Sequence, residues 1–494
     1  MFDSYYEIEQ HGRRSFGNVS LKEFHQFKLD GENYLFNAAT MTPYRISEPV
    51  ARLVEKVAAP LGGGLITGQA MEELKKLDLV AGIDPQPSRN GASEPAADPA
   101  KPADSAPKVR YAVENIVLFV AQKCNMACVY CYGQGGEYGD KGMMNADTAF
   151  KAVDWLMENS GDIESVHIGF FGGEPLMNFP LIEKVVRYAR KEAEERGKKV
   201  TFGMTTNASL LSDRRIAFLR KEEINPMVSF DGSPEIQNRQ RPFKDGKGSY
   251  DKVYVNIQKL KKAFPHVAAR ATVHGGTDPA EIRAGMELAG LTSFVIQKAT
   301  RVILDNPPVE CVSCPDQDQA DERMLSIEKR LARDLLGHIK ARNARPENVN
   351  STVGALVWKL ISASKGYYFC SVGKTMAAIT TAGDIYPCHR FAGQEDMKLG
   401  NIGSYRWSGL NDYHRAVVDN LPECKRCWAR YACGGGCFYE SKASRGDFHL
   451  PDRSFCRETK ALMETAISIY LQLDEEDKTY FKVSLQRQLE DPCP

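Results

Sequence analysis

No apolar run in this 494-residue chain approaches the ~18 residues of a membrane-spanning helix, so no membrane partner is expected. An excess of charge is missing too: 64 Lys and Arg stand against 64 Asp and Glu. A chain so balanced gives no reason to expect nucleic acid or an anionic membrane surface as partner. The first residues, MFDSYYEIEQHGRR, lack the charged-then-apolar form of a signal peptide, which points to the cytoplasm. Residues 84–108, DPQPSRNGASEPAADPAKPADSAPK, have almost no large apolar side chain. They cannot bury a core and read as a disordered linker. Cysteine, by contrast, is plentiful: 13 in the chain. Without an export signal, that number argues for metal ligation in a reducing compartment and against disulfides. The remaining composition, 43% hydrophobic and 26% charged, is that of a soluble globular protein, long enough for two or three domains.

The most informative stretch is KCNMACVYCY, residues 123–132. It places Cys124, Cys128 and Cys131 at spacing C-x3-C-x2-C, after the apolar run NIVLFVAQ. Thiolates so placed on one loop can hold three irons of a cubic [4Fe-4S] cluster. No fourth Cys lies close by, so one iron would stay open to a ligand that is not protein. The plainer alternatives are structural thiols or a zinc loop.

The chain before and after this loop is patterned. Residues 1–83 read as a small α+β unit. EFHQFKLDGENYLFNAATMTPYRIS suggests two strands joined at Asp30-Gly31, then a helix capped by Ser47 and a second short helix in GQAMEELKKLDLV. After the linker, assigned to 84–110, residues 111–310 alternate. Apolar runs NIVLFVAQ, SVHIGFF, KVTFGMTTN, PMVSFDG, ARATVH and SFVIQKAT are separated by amphipathic stretches. Six β-then-α units predict an α/β fold with a parallel sheet and right-handed crossovers. Six are too few for a closed eight-stranded barrel, so an open, partial (β/α)6 barrel is expected. Its site should lie at the carboxyl ends of the strands. There the sequence offers Gly172-Gly173-Glu174-Pro175 after the second strand, Thr205-Thr206-Asn207 after the third, and Ser229 and Asp231 after the fourth. The two Gly permit close backbone approach and Glu174 can accept from an ammonium group. Arg239 and Arg241 in NRQRP can pair a carboxylate or can be solvated surface arginines.

The last third is rich in Cys. Residues 311–366 read as a helical bridge, opened by Cys311 and Cys314 as an isolated C-x2-C: free thiols, a redox pair, or cluster or entry-site ligands. Residues 367–458 carry Cys370-x12-Gly383-x4-Cys388, then Cys424-x2-Cys427-x5-Cys433-x3-Cys437, then Cys456. Seven ligands exceed the four of one structural zinc, so at least two sites are needed. Residues 459–494 read as a terminal helix and tail, with Cys493 a bystander.

These motifs together resemble the radical S-adenosylmethionine (AdoMet)/SPASM peptide maturases. CNMACVYCYG, GFFGGEPLMNF, MTTNAS, VSFDG, RQRPF, GDIYPCHRF and CWARYACGGGC carry the resemblance. In wording it is closest to the thioether-forming maturases of six-cysteine peptides and to the maturation proteins of quinohemoprotein amine dehydrogenase. The resemblance implies a cluster on Cys124, Cys128 and Cys131 that binds and reductively cleaves AdoMet to a 5′-deoxyadenosyl radical. It implies AdoMet contacts from Tyr130, Gly172, Gly173, Glu174, Thr206, Asn207, Ser229, Asp231 and Arg241. It also implies two auxiliary [4Fe-4S] clusters: an outer one on Cys424, Cys427, Cys433 and Cys456, and an inner one on Cys370, Cys388 and Cys437. That makes three clusters in all. The inner cluster is one ligand short, a place for Cys311, Cys314 or a substrate thiol. FHQFKLDGENYLFN resembles the start of a winged-helix-like peptide-recognition domain. The expected partners are a Cys-containing precursor peptide or small protein subunit and an electron donor such as flavodoxin or ferredoxin. The expected reaction joins Cys sulfur to carbon in a thioether. Other radical peptide modifications are the alternative: a carbon–carbon cross-link, an epimerisation or a formylglycine-type oxidation. An iron–sulfur electron carrier is the alternative of another class. Anaerobic sulfatase maturases carry Asp after the Cys of GDIYPC; here that place is His389, the candidate proton acceptor.

Overall fold

The computed structural model describes residues 3–6, 16–20, 24–58, 112–302, 317–344, 351–404 and 411–490. The chain divides into two units, Met1–Arg110 and Tyr111–Pro494.

In the first unit β1 (Asp3–Tyr6) and β2 (Phe16–Ser20) pair antiparallel. A separate antiparallel sheet runs β3 (Phe24–Leu29), β4 (Glu32–Asn37), β5 (Thr42–Ile46), in that order. Asp30 and Gly31 close the first hairpin with φ of 50° and 84°, the left-handed pair that Asp-Gly supplies. The sequence reading gave two strands here; the structure has three. The second turn contains no Gly and gave no hairpin signal. Asn37 makes it instead, its Oδ1 accepting from the backbone N–H of Ala39 at 3.0 Å and Thr40 at 3.2 Å, an Asx turn. Helix α1 (Glu48–Ala58) follows Ser47, whose carbonyl accepts the Ala51 N–H at 2.9 Å. Ala51 and Val54 pack on Leu35 and Ile46. The helix expected at 68–80 and the linker at 84–110 lie outside the described residues.

The second unit is an α/β fold. Its strands β6 (Asn115–Gln122), β8 (Ser165–Gly172), β9 (Lys199–Thr206), β10 (Ile224–Ser229), β11 (Ala268–Val273) and β12 (Ser293–Lys298) are parallel and adjacent in chain order. A short β7 (Gly142–Met143) pairs antiparallel with the end of β6. Crossovers are α2 (Ala146–Asn159), α3 (Phe179–Glu195), α4 (Asp213–Lys221), α5 (Pro234–Gln240) with α6 (Tyr250–Ala263), and α7 (Pro279–Leu288). Their first turns start where sequence chemistry puts them: Asn145, Ser212, Ser233 and Asp278 accept from the N–H groups of Thr148, Arg215, Ile236 and Ala280. Each cap satisfies a donor that the helix leaves open. Leu118, Ile168, Phe170, Phe202, Met204 and Val228 fill the core, none more than 3% exposed. The sheet is open, a partial (β/α)6 barrel.

After α8 (Gln317–Lys340) and α9 (Thr352–Ile361), the chain returns to this sheet. β13 (Met376–Ile379) pairs parallel with β6, and β14 (Asp384–Tyr386) and β15 (Gly400–Asn401) continue antiparallel. The Cys-rich segment is thus hydrogen-bonded to the barrel's first strand. Short helices α10 (Asn411–Arg415), α11 (Arg430–Cys433) and α12 (Phe438–Arg445) lead to α13 (Arg453–Tyr470) and α14 (Glu475–Glu490). Asp452 caps α13 by accepting from Phe455 N–H at 2.8 Å. Helix α13 therefore starts three residues before Cys456, and the stretch from 459 onward holds the rest of it and α14. Cys311, Cys314 and Cys493 lie outside the described residues.

Candidate active site

The Cys loop leaves β6 at its carboxyl end and is tied down by backbone. Ala127 N–H donates to Pro242 O at 2.8 Å and Val129 N–H to Gln240 O at 3.0 Å. Gly173 N–H reaches Ala121 O at 2.8 Å, and Glu174 N–H reaches Lys123 O at 2.9 Å. This approach needs the two glycines. A Cβ on Gly172 would lie 2.1 Å from Ala121 O, and one on Gly173 2.3 Å from Lys123 O. The Gly-Gly pair therefore seats the strand against the Cys loop, and both glycines also face the cavity.

That cavity, about 160 Å³, is lined by Cys124, Cys128, Cys131, Tyr130, Gly172, Gly173, Thr206, Asn207, Ser229, Arg241 and His389, among others. It brings together most of the residues the sequence nominated. Two stand behind its wall. Glu174 is fully buried; its Oε1 accepts from Leu176 N–H at 3.0 Å and Thr206 Oγ1 at 2.8 Å, and its Oε2 from Asn207 N–H at 2.8 Å. Burial raises its pKa to about 7, and those three donors oppose the rise. Asp231 is also fully buried. It accepts from Tyr130 Oη at 2.6 Å, Gln240 Nε2 at 2.8 Å and Thr272 N–H at 2.9 Å, and pairs with Arg241 Nε at 3.0 Å. Burial alone would lower the Arg241 pKa; the Asp231 carboxylate, together with Tyr130 and Cys128, more than reverses this. The guanidinium lies 5.2 Å from the centre of the Tyr130 ring. Arg239 turns away from the cavity and donates to Thr277 Oγ1 at 2.9 Å.

Sequence reasoning missed Arg270 and Thr272 at the end of β11, Gln297, Lys298 and Thr300 around the end of β12, and Arg390. The signal was available for the first five: they are polar residues near the ends of apolar runs already read as strands.

The thiols suit a group that draws them into the ionised form. Burial pushes Cys124 up to about 11 and Cys128 to about 12, so each would stay protonated unless a metal took its proton's place. The same holds for the C-terminal sets. Cys424, Cys427, Cys433 and Cys456 surround one cavity of about 340 Å³, with Cys424 and Cys433 pushed by burial to about 12. Cys370, Cys388 and Cys437 lie within electrostatic reach of one another. Among the described residues no three or more Cys, His, Asp or Glu side chains converge tightly enough for a single metal ion. Arg390 bridges the two regions: it lines the main cavity, its Nη1 is 3.8 Å from Cys437 Sγ, and its N–H is 3.4 Å from Cys388 Sγ. His389 Nδ1 is 3.8 Å from Cys388 Sγ. Burial, with Arg390 and Arg270 nearby, lowers its pKa to about 3.

Three Cys thus stand at the carboxyl end of the first strand of an open parallel sheet. Residues 118–289 match the model of the radical SAM superfamily. An uncharacterized protein of Methanocaldococcus jannaschii is 34% identical over 137 residues, which is 28% of this chain and 45% of that protein. A serine-type anaerobic sulfatase-maturating enzyme of Bacteroides thetaiotaomicron is 26% identical over 351 residues, covering 64% of this chain and 80% of that enzyme. The solved structure of native anSMEcpe with bound AdoMet and Cp18Cys peptide shares the fold. It aligns with a TM-score of 0.59 and 19% identity over 73% of this chain and 98% of that one. Among the described residues no helix is long and apolar enough to cross a membrane.

Proposed function

We propose that this protein is a radical AdoMet enzyme that modifies a Cys-containing peptide or small protein subunit, joining the Cys sulfur to a carbon as a thioether. The observation that carries this reading is one shared cavity. The Cys124–Cys131 loop and the His389-Arg390 pair beside Cys388 line the same space, so substrate in it would meet the first cysteine set and lie next to the residues that flank the inner one. Cys124, Cys128 and Cys131 would hold the AdoMet-binding cluster, the outer and inner Cys sets an auxiliary cluster each. When bound, these groups supply a carbon-centred radical and one-electron acceptors.

The chain's own residues do the rest. Thr206, Asn207 and Ser229 present polar groups to AdoMet at the ends of β9 and β10. Glu174 holds Thr206 and Asn207 in place, and Asp231 holds Tyr130 and Arg241. His389, the candidate proton acceptor, lines the same cavity with its Nδ1 3.8 Å from Cys388 Sγ. Its pKa of about 3 keeps it neutral, so it would take a thiol proton only where an electron-poor centre had already drawn the thiol toward ionisation. Forming the thioether removes a hydrogen atom from carbon, a proton from sulfur and one electron. A flavodoxin or ferredoxin supplies the reducing electron for AdoMet cleavage.

The test is anaerobic reconstitution with reductant and AdoMet. Deoxyadenosine should form, and a Cys124/Cys128/Cys131→Ala variant should form none while keeping its other iron. Co-expression with a Cys-containing peptide encoded nearby should give a product two hydrogens lighter whose Cys resists alkylation. The sulfatase-maturating relative supports a second reading, oxidation of Ser or Cys to formylglycine. An aldehyde-reactive product would establish that reading and overturn the thioether.

A further inference from the structure

Four cationic side chains line the main cavity: Arg241, Arg270, Lys298 and Arg390. Three have a carboxylate of their own. Arg241 pairs with Asp231 at 3.0 Å, Lys298 with Glu458 at 2.9 Å, and Arg390 with Glu440 at 3.0 Å. Arg270 differs. Among the described residues no hydrogen bond or ion pair meets its guanidinium, and its Nε is buried without a partner. Its charged neighbours are Arg241 and Arg390, cations like itself, with the Tyr132 hydroxyl also close.

The strand dictates where this side chain goes. Along β11, Ala269, Ala271 and Val273 are buried in the core, while Arg270 and Thr272 alternate with them and line the cavity. This is the period-two pattern of a strand with two faces. Arg270 is in register with Ser229 of β10, another cavity residue. Arginine keeps its proton at any working pH, and a partly buried guanidinium whose Nε is shut off from solvent without a partner carries an uncompensated desolvation cost. A position that holds one against a cavity wall is built for an anion that arrives with the ligand.

We infer that Arg270 is the anion anchor of the cavity and that it binds a carboxylate, whose two oxygens fit the guanidinium fork. That role cannot fall to Arg239, which is turned away, and Arg241 is already paired. Two ligands could bring the carboxylate: AdoMet, through its methionine end, and the substrate, through an acidic side chain or chain terminus. The inference rests on the reading of this cavity as the AdoMet and substrate chamber.

The experiment uses reconstituted full-length protein and three probes: AdoMet, decarboxylated AdoMet and N-acetylaspartate. Equilibrium dialysis gives the first two affinities. The third is followed by its effect on the electron paramagnetic resonance of the reduced protein with AdoMet present. If AdoMet is the source, Arg270→Met weakens AdoMet binding roughly ten- to hundredfold and leaves the decarboxylated analogue unchanged. If the substrate is the source, both AdoMet affinities hold, and the N-acetylaspartate response of the wild type vanishes in Arg270→Met. Arg270→Lys, which keeps the charge but loses the fork, should recover part of either effect. The inference falls if Arg270→Met treats all three probes as the wild type does. It falls equally if the variant loses all three together with its iron, as a merely structural residue would. Failure of the wild type itself to bind AdoMet would sink the functional reading instead.

Discussion

A carboxylate with three protein donors and no exposure to solvent, Glu174 links the end of β8 to the end of β9. Under the proposed function its effect on AdoMet would be one of position, exerted through Thr206 and Asn207. Asn207 carries the link further, donating to Asn125 Oδ1 of the Cys loop at 3.0 Å. Glu174→Gln would turn an amide donor toward an N–H or a hydroxyl and leave a buried group unmet, costing about 1–3 kcal/mol. A lower melting temperature and weaker AdoMet binding are expected together; full retention of both would show that the link does not matter. The pH dependence has a definite sign. The folded pKa of about 7 lies above the ordinary 4.5, so the protonated acid favours folding. Its contribution is complete below about pH 4.5 and is lost as pH rises through 7, up to about 3 kcal/mol in all. Melting of the cluster-free protein at pH 5 and pH 8 should show this loss, and Glu174→Gln should reduce it.

At the level of elements, the six barrel strands were legible because parallel strands covered on both faces read as unbroken apolar runs between helices. GGEP and TTN stood out as polar stops on such runs. Spacing alone gave the three-Cys loop and the need for at least two further sites among the last Cys, whereas their division into an outer and an inner set came from the family resemblance. Which polar side chains face inward was not, and Arg270 shows why: pleat direction and register decide it, and both depend on neighbouring strands. β13 was invisible for a different reason. It is four residues long, MAAI, and is stabilised by β6, a strand more than 250 residues earlier in the chain. Gln122 explains how the two ends find each other. Its Oε1 accepts from Thr381 N–H at 2.9 Å and Thr381 Oγ1 at 2.7 Å. Its Nε2 donates to Glu137 O at 3.0 Å and Asp140 O at 2.7 Å. One buried amide thus fastens β6, the chain after the Cys loop, and the turn between β13 and β14. Gln122→Ala removes all four bonds and should cost at least about 1–3 kcal/mol. Hydrogen exchange should show faster opening in β13 and in residues 137–140 alike. Opening confined to one of them would contradict a shared fastening.

For the molecule as a whole, the three cysteine sets imply about twelve irons and as many sulfides per chain when loaded. A Cys424/Cys427→Ala variant should fall to about eight and still cleave AdoMet, since the outer set surrounds its own cavity. Four irons with one or two zincs in the wild type would contradict the assignment. The N-terminal unit calls for a different kind of test. Its sheet β3-β4-β5 has edges at β3 and at β5, and an edge strand carries backbone donors and acceptors that an extended peptide can meet. A substrate leader docked beside the hairpin of residues 22–37 would be held mainly by main-chain hydrogen bonds. If residues 84–110 are the linker their composition suggests, they would keep the rest of the peptide at high effective concentration for the cavity. The cavity residues all come from the second unit, so AdoMet chemistry should not need the first. Deleting residues 1–83 is therefore expected to raise the KM for the peptide strongly while AdoMet cleavage without peptide continues at its usual rate. A shortened peptide without its leader should be turned over equally by both forms. If the deletion stops both activities, the unit supports folding and the docking proposal fails.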